Sequence, residues 1–406
     1  MDRVILHCDL NNFYASVECL RHPELKGKPV AVSGNPKTRT GIILAKNTLA
    51  KSYGVSTGDT IWKARQKCPD LICVSPHHEE YTKYSKIVRD IYLRFTDRVE
   101  PFGPDECWLD VTHSTKLFGS GKQIADTLRE TVKKETGLTI SVGVSFCKMF
   151  AKLGSDLKKP DATTEITKEN FRQVVWPLPA SSLMFIGRHR EQTLKKLNIN
   201  TCRDLAYADE KVLTHYFGVN GKEIIDIARG LDKSEVALFG DNAEVKSIGN
   251  GTTAIHDITN RDEFNKITYY LCDSVMTRMR KKMLSAETLT LSIKDSDLSW
   301  VSYSKSYTSP ISNTKDMYEK ACALYEKNWK TLKPIRAVRV ACSNLVNDSS
   351  SVQFDMFTSE KVTKRKQNEE KSIDKVREKY GANGIKKALL MNTDNLIRTT
   401  SDDEFY

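Results

Sequence analysis

The chain has 406 residues, 39% of them hydrophobic and 28% charged, which is the composition of a soluble protein of several domains. No stretch approaches the roughly 20 apolar residues of a membrane span, and no signal-peptide pattern opens the chain, so membrane and secreted classes are excluded and a cytoplasmic location is expected. The formal net charge is +11. Such an excess favours a phosphate-rich polymer as partner, with an ordinary solvated basic surface as the alternative.

Ten cysteines are scattered along the chain, and none forms a CxxC pair. Several of them, including Cys8, Cys107 and Cys342, lie inside apolar runs. We therefore expect reduced, buried thiols rather than a disulfide framework or a structural zinc site.

The first 165 residues predict an α/β domain that is interrupted by an insertion at 21–73, where turn residues are frequent. The strands on either side of the insertion are expected to bring Asp9 close to Asp105. The predicted elements are a strand at 4–9, a helix opening after it, a short helix at 47–53, a long helix at 80–96, a hairpin turning near Gly103-Pro104, a helix at 122–136 and an alternating strand at 138–146.

The remainder of the chain predicts three further parts. Residues 166–234 are all-helical, and 235–244 form a connection. Residues 245–347 follow a β-α-β-β-α-β order of the ferredoxin-like type and carry 16 basic and 10 acidic residues, more than half of the excess charge. The tail from 348 is rich in lysine and has only a weak apolar stripe, so we expect it to be partly disordered.

Three acidic residues, Asp9, Asp105 and Glu106, lie at predicted strand ends, where an unpaired carboxylate is costly. Divalent cations are one common partner, and phosphoryl transfer often uses two of them about 4 Å apart, bridged by carboxylates. The alternative is that the acids form salt bridges with nearby basic residues, of which Arg98, Lys148 and Lys152 are the candidates. The acids alone leave both interpretations open.

Three segments resemble the signature motifs of the Y-family, or translesion, DNA polymerases, in the family's order and spacing. They are DLNNFYASVE (Asp9–Glu18), PDECWLDVT (Pro104–Thr112) and SVGVSFCKMFAKLGSDLKKPDA (Ser141–Ala162). The resemblance covers about residues 1–345 and is nearest to the bacterial polymerase IV or V type. It implies an α/β (α+β) right-hand polymerase with a palm (1–20 and 74–165, mixed sheet), small fingers (21–73), a helical thumb with helix-hairpin-helix turns (166–234), a linker (235–244), a β-α-β-β-α-β little finger (245–347) and a tail (348–406).

The resemblance also implies template-directed, low-fidelity DNA synthesis past damaged bases by a two-metal-ion mechanism. Asp9, Asp105, Glu106 and the carbonyl of Leu10 would bind two Mg²⁺ ions, with Mn²⁺ as a substitute. All three acids are present, which speaks against the first alternative, a catalytically weak, clamp-tethered DNA-binding accessory protein. The second alternative is a two-metal nuclease that uses the same acids.

Further site residues follow from the family motifs. Tyr14 matches the steric gate that excludes a 2′-hydroxyl, and the helix opening at Asn11–Ala15 offers backbone amides to the triphosphate. Phe13 is expected to pack in the core or to line the metal pocket. Lys51 and Thr48 stand where relatives usually carry arginine and tyrosine, and Gly103-Pro104 is a further departure. The implied nucleotide-binding set is Asn11, Asn12, Phe13, Tyr14, Ala45, Lys51 and Lys159, and Ile42 and Leu44 would roof the nascent base pair.

The resemblance assigns DNA contacts to the thumb and little finger and a partner to the tail. The DNA-binding set is Gly187, Gly218, Ser247, Gly249, Arg336 and Arg339; for the two arginines, ordinary exposed charge is the alternative. QFDMF, residues 353–357, resembles the peptide that docks into a bacterial sliding clamp, with Gln353, Met356 and Phe357 as its contacts. The expected partners are primer–template DNA, deoxynucleoside triphosphates and the clamp, and the chain is expected to be a nucleoid-associated monomer.

Overall fold

The protein is described by a computed structural model. The residues that it describes are 2–35, 39, 41–241, 244–331, 333–347, 360–381, 384–391 and 396, with the backbone alone for 360–367. The described residues fall into two compact units: the first contains 2–34 and 42–241, and the second contains 35, 39, 41 and 244–396.

The first unit begins with strands and helices that alternate, as the sequence predicts for an α/β class. In chain order they are β1 (Ile5–Leu10), α1 (Phe13–Arg21), β2 (Val30–Ser33), β3 (Ile43–Lys46), α2 (Thr48–Ser52), α3 (Ile61–Lys67), β4 (Ile72–Val74), α4 (His78–Tyr92), β5 (Val99–Phe102), β6 (Glu106–Asp110), α5 (Thr115–Phe118), α6 (Gly121–Thr136), β7 (Ile140–Ser145), α7 (Lys148–Leu157) and β8 (Thr163–Ile166). Strands β2, β3 and β4 form a separate three-stranded sheet in the order β3-β2-β4.

The main sheet of this unit has the order β5-β6-β1-β7-β8 and is mixed, because only β7 and β8 run parallel. Strand β1 lies at its centre, and every residue of β1 is buried. Helix α7 approaches β7 so closely that a Cβ on Gly143 would lie 1.9 Å from the carbonyl oxygen of Ala151. Only glycine fits at that contact, which fixes α7 above the central strands.

Five helices complete the first unit, in agreement with the predicted all-helical segment. They are α8 (Phe171–Val174), α9 (Arg188–Lys196), α10 (Cys202–Tyr207), α11 (Glu210–Phe217) and α12 (Val219–Ala228). Their core includes Phe150 from α7, whose ring stacks on Phe171 at 5.6 Å between centroids. Buried aromatic rings therefore join this helical segment to the helix above the main sheet.

The second unit follows the predicted β-α-β-β-α-β order and adds one helix. Its elements are β9 (Ser247–Ile258), α13 (Arg261–Lys281), β10 (Leu284–Asp295), β11 (Trp300–Ile311), α14 (Thr314–Asn328), β12 (Ile335–Asn347) and α15 (Glu360–Tyr380). The strands are all antiparallel, in the order β11-β10-β12-β9. Helices α13 and α14 cover one face of this sheet, because alternate strand residues such as Leu291 and Val340 face them in a common core.

Helix α15 lies in the tail and contacts the rest of the second unit through charged side chains. Arg280 of α13 binds both carboxylate oxygens of Asp374 at 2.7 and 2.9 Å and also contacts Glu370, and Arg377 pairs with Asp273 at 2.7 Å. The docked side of α15 is charged rather than apolar, which explains why an apolar stripe did not reveal it. Within the described part of the chain, no helix has both the length and the apolar character needed to cross a membrane.

Candidate active site

The three predicted carboxylates lie at one end of the central strands of the main sheet. Strands β1 and β6 pair antiparallel with Asp9 directly opposite Glu106. The N–H of Leu10 donates to the carbonyl oxygen of Asp105 at 3.0 Å, so Leu10 and Asp105 form a hydrogen-bonded pair. Asp9 and Glu106 therefore occupy the neighbouring non-hydrogen-bonded position, where opposite side chains come closest. Asp105 lies in the turn that joins β5 to β6.

Two lysines from α7 and the loop after it bind these acids. Lys159 Nζ lies 2.7 Å from Asp9 Oδ2, and Lys152 Nζ lies 2.9 Å from Glu106 and 3.7 Å from Asp9. Both lysines also pair with Asp156. The salt-bridge alternative is thus realised for Lys152, whereas Lys148 pairs with Glu100 instead.

Burial and charge move the pKa values of the acids in opposite directions. Burial raises the pKa of Asp9, although Lys159 opposes the rise, and the nearby Glu106 adds to it. Burial and the adjacent charge of Glu106 likewise raise the pKa of Asp105. For Glu106, burial is outweighed by hydrogen bonds with His7 and Lys152, and the pKa is lowered. A cluster of this kind favours bound positive charge, because cations relieve the repulsion among the carboxylates.

His7 lies beneath Glu106 and was not singled out by the sequence. It is fully buried, with Nε2 3.2 Å from Glu106 Oε2 and Nδ1 2.8 Å from Ser155 Oγ. Burial lowers the pKa of His7, and its ring lies against Glu106. The sequence signal for this position is strand alternation, since His7 and Asp9 share one face of β1.

The donor set fits divalent metal ions, although the metal ligands are not assembled. Among the described residues, no group of three or more histidine, cysteine, aspartate or glutamate side chains is arranged to hold a metal ion. Carboxylates are nevertheless the ligands that Mg²⁺ and Mn²⁺ prefer, and two of them, Asp9 and Glu106, face each other here. Lys152 and Lys159 now occupy their oxygens, so metal binding requires these ion pairs to loosen.

The start of α1 connects the acids to neighbouring loops. The N–H of Asn11 donates to the carbonyl oxygen of Thr139 at 2.9 Å, so that amide is not available to a ligand. The Asn11 side chain accepts from the N–H of Asp161 at 2.8 Å, two residues after Lys159. Asn11 thus ties the lysine loop to the central strand. Asn12 has the left-handed φ of 51° and reaches Thr48 of α2 at 3.1 Å.

Tyr14 lies on the first turn of α1 beside the carboxylates. Burial, and then the charge of Asp105, raises the pKa of Tyr14. The Tyr14 ring stacks on Tyr81 of α4, with centroids 4.0 Å apart and planes 12° apart, and it meets His78 edge-on at 5.9 Å. Phe13 is buried in the core of the main sheet, which is one of the two positions that the sequence predicts for it.

The fingers residues of the family pattern lie on β3 and α2. Ile42, just before β3, is 44% exposed, and Leu44 and Ala45 of β3 are half-buried. Lys51 of α2 is exposed, and it lies near Lys46. Burial, and then the charge of Lys51, lowers the pKa of Lys46. The family pattern identified Lys51 but not Lys46, whose Nζ donates to Thr57 at 3.0 Å.

The two thumb glycines differ in their backbone requirements. Gly218 has φ 62° at the start of α12, a conformation that favours glycine. Gly187 has an ordinary extended backbone at the start of α9, and the residue with positive φ in that turn is Phe185, at 72°. Both glycines have open space where a Cβ would stand, so ligand atoms can approach both helix starts closely.

The sheet of the second unit turns one face away from its helices, and we call this the open face. Register defines it as four rows across β11, β10, β12 and β9. Serine and threonine hydroxyls bond across it, as between Thr290 and Ser304 at 3.0 Å. The rows contain hydroxyl, small, basic and aromatic residues and no acid. They are Trp300–Lys294–Ala337–Thr253, Ser302–Ser292–Arg339–Gly251, Ser304–Thr290–Ala341–Gly249 and Ser306–Thr288–Ser343–Ser247.

Of the predicted DNA-binding residues of this unit, Ser247, Gly249 and Arg339 lie in the rows of the open face, and Arg336 does not. Arg339 is exposed, and with Gly249 it lines a concave site of about 370 Å³. A Cβ on Gly249 would lie 2.8 Å from that of Ala341, so glycine is needed for close strand packing. Arg336 is half-buried and contacts Asp257 at 3.3 Å, which matches its alternative interpretation as an ordinary surface charge. The hydroxyl rows were not identified from sequence, because register across four strands is not visible in one strand.

The predicted clamp contacts, Gln353, Met356 and Phe357, lie outside the described residues. They follow β12, the last strand of the sheet, and precede α15 in the chain. Their assignment therefore rests on the sequence pattern.

Comparison with known proteins gives one consistent family. Residues 8–156 match the impB/mucB/samB family, and residues 245–356 match the C-terminal domain of that family. The chain is 43% identical to "DNA polymerase IV" of Acetivibrio thermocellus, over 98% of this chain and 100% of that protein. It is 35% identical to "DNA polymerase IV" of Bacillus velezensis, over 98% of this chain and 96% of the relative.

A solved structure agrees with these relatives at the level of the fold. A Y-family DNA polymerase chimera superposes with a TM-score of 0.74 and 22% identity, over 85% of this chain and 99% of that chain. The right-hand polymerase fold class that the motifs imply is thereby confirmed.

Proposed function

The chain belongs to the impB/mucB/samB family of Y-family DNA polymerases, and from this premise we propose that it extends primers past damaged template bases with Asp9, Asp105 and Glu106 as its catalytic acids. Its relatives over nearly the whole chain are DNA polymerases, so template-directed, low-fidelity translesion synthesis is its activity, and dependence on divalent metal follows. The observation that carries the residue assignment is Asp9 directly opposite Glu106, with Asp105 in the adjoining turn.

The carboxylates would bind two Mg²⁺ ions, with the Leu10 carbonyl as a further ligand and Mn²⁺ as a substitute. When bound, such ions activate the primer 3′-hydroxyl and neutralise the triphosphate and the leaving pyrophosphate. His7 Nε2 lies 3.2 Å from Glu106 Oε2 on the same side of the sheet. Lys159, which contacts Asp9 at 2.7 Å, is within reach of the same space and can pair with triphosphate oxygens.

Nucleotide selection would be divided between α1 and the fingers. Tyr14 lies beside Asp105, where a bulky ring excludes a ribose 2′-hydroxyl. The triphosphate would be neutralised by the remaining amides at the start of α1, from Asn12 onward, and by Lys46 and Lys51. Lysine supplies a point charge without the bidentate geometry of arginine. These contacts with the triphosphate are therefore independent of base identity and tolerate different phosphate positions.

Primer–template DNA would be held by groups that do not read base sequence. The helix starts at Gly187 and Gly218 can receive phosphates, since neither has an obstructing side chain. The open face offers hydroxyl donors and Arg339 with no acid among its rows, which suits a polyanion. A single chain contains every one of these parts, so we propose that a monomer is active, and association with the nucleoid follows from DNA binding.

Primer extension on damaged and undamaged templates tests the activity and the acids together. We expect lengthened primers with Mg²⁺ or Mn²⁺, and loss of at least about 10³-fold in rate for Asp105→Ala. Shortened primers would indicate the nuclease alternative, and DNA binding without incorporation would indicate the accessory protein, which the relatives do not favour. Wild-type rates for Asp105→Ala would refute the assignment of the acids.

The segment QFDMF would attach the polymerase to the bacterial sliding clamp. The supporting evidence is its sequence pattern and its place in the chain between β12, which ends at Asn347, and α15. A triple alanine variant at Gln353, Met356 and Phe357 should weaken clamp binding at least about tenfold while leaving synthesis without clamp unchanged. Equal clamp affinity of the variant and the parent protein would refute this assignment.

A further inference from the structure

A buried carboxylate lies behind Tyr14 without taking part in the chemistry described above. Glu18 is fully buried on α1, one helical turn after Tyr14, so the two side chains share a face of the helix. A buried, unpaired carboxylate is strongly destabilising. Glu18 is instead surrounded by hydrogen-bond donors. The arrangement of these donors shows which side chain Glu18 holds in place.

Three side chains bind Glu18. The Tyr81 hydroxyl donates to Oε1 at 2.5 Å, His77 Nδ1 lies 3.0 Å from the same oxygen, and Arg21 lies 3.2 Å from Oε2. Burial, and then the hydrogen bond to Glu18, raises the pKa of Tyr81, so its hydroxyl remains protonated and continues to donate. The carboxylate therefore fixes Tyr81 at its polar end.

The aromatic end of the same residue supports Tyr14. The rings of Tyr81 and Tyr14 are nearly parallel at 4.0 Å, and His78 contacts the edges of both, at 5.7 and 5.9 Å. Tyr81 is almost fully buried, whereas Tyr14 is only half-buried. A half-buried ring is free to change rotamer unless its neighbours restrict it, and here the restricting neighbour is itself restrained by Glu18.

We propose that Glu18 and Tyr81 are positioning residues for sugar selection, with Glu18 holding Tyr81 and Tyr81 setting the plane of the Tyr14 ring. This inference rests on the proposed role of Tyr14 in excluding ribonucleotides. The three residues form one chain of contacts from a buried charge to the sugar pocket. Loosening any link lets the Tyr14 ring tilt away and makes room for a 2′-hydroxyl.

The test is single-nucleotide incorporation by the full chain, with kcat/KM measured for matched deoxyribonucleotides and ribonucleotides. Tyr81→Phe keeps the stacked ring but removes the hydroxyl, and we expect the preference for deoxyribonucleotides to fall about tenfold, chiefly through a lower KM for ribonucleotides. Glu18→Gln retains an oxygen acceptor for Tyr81 and should keep the preference within about twofold, whereas Glu18→Ala should lose it at least as strongly as Tyr81→Phe.

Tyr92→Phe is the matched control, because Tyr92 is also buried on α4 but packs in the core of the main sheet. Its sugar preference should equal that of the parent protein. Unchanged preference in folded Tyr81→Phe and Glu18→Ala proteins would overturn the inference and leave a structural role only. Tyr14→Ala distinguishes a failure of this inference from a failure of the proposed role of Tyr14. If Tyr14→Ala also retains the full preference for deoxyribonucleotides, the proposed role of Tyr14 fails as well.

Discussion

Lys159 forms an ion pair with Asp9, with 2.7 Å between its Nζ and Oδ2 of the aspartate. The lysine follows α7, and the aspartate ends the central strand β1, so the contact joins segments 150 residues apart. The same lysine also contacts Asp156 at 2.7 Å, which keeps it near the site when Asp9 binds another cation. In the proposed function, Lys159 would leave Asp9 and pair with the anionic triphosphate.

Replacing this lysine should weaken nucleotide binding more than turnover. For Lys159→Ala we expect the KM for deoxynucleotides to rise about tenfold, the loss of one charge-assisted hydrogen bond, and kcat to change less. Steady-state incorporation on an undamaged template measures both. Lys159→Arg should recover most of the loss, since the charge is kept, and Lys168→Ala is the control because Lys168 pairs with Asp2 at the surface. An unaltered KM in Lys159→Ala would contradict the assigned contact.

The exposed arginine of the open face should contribute to DNA affinity through a phosphate. We expect Arg339→Ala to weaken primer–template binding several-fold and to lower the salt dependence of the affinity by about one unit of slope. Arg336→Ala is the matched control on the same strand, because its guanidinium already contacts Asp257. Fluorescence anisotropy at several salt concentrations measures the slope. Identical slopes for both variants and the parent protein would remove Arg339 from the interface.

Local patterns were sufficient to predict the strands that carry the acids. The apolar run of β1 puts Asp9 near a strand end, and the turn residues of the β5–β6 hairpin put Asp105 and Glu106 beside a turn. His7 lies on the same strand face as Asp9, but its apolar neighbours hid it in the sequence.

Contacts between distant charged side chains could not be predicted from such patterns. Lys152 was one of three basic residues considered as partners of the acids, but the sequence could not choose among them, because a contact across 46 residues leaves no periodic signal. The docking of α15 was missed for a similar reason, since Asp374 and Arg377 pair with α13 through charge. Hydrophobic periodicity detects apolar stripes and is silent on buried ion pairs.

The exposed side chain before β3 should limit which template bases are accommodated. Ile42 is 44% exposed, so Ile42→Ala should change the free energy of unfolding by no more than about 0.5 kcal/mol. Removing its bulk should raise incorporation opposite a bulky template adduct by up to about tenfold. Leu49→Ala, at an equally exposed residue of α2, is the control. Bypass efficiencies on one adduct measure the effect, and equal values for Ile42→Ala and the parent protein would place Ile42 away from the nascent pair.

The ion pairs beneath α15 should stabilise the second unit. The Arg280 side chain is 7% exposed and depends on Asp374 and Glu370 for its charge partners. Asp374→Ala leaves a buried guanidinium short of an acceptor and should lower the stability of the unit by about 3 kcal/mol. Hydrogen exchange of the α13 amides in the full chain measures this locally, without assuming that the whole chain unfolds in one step.

Two further variants distinguish a buried ion pair from general surface charge. Lys281→Ala breaks the exposed pair with Glu378, at 3.4 Å, and should cost less than about 1 kcal/mol. The triple variant Arg280→Met, Glu370→Gln and Asp374→Leu removes the three charges of the cluster and should regain most of the lost protection, because the desolvation cost disappears with them. Equal exchange rates for Asp374→Ala and Lys281→Ala would show that α15 is held by other contacts.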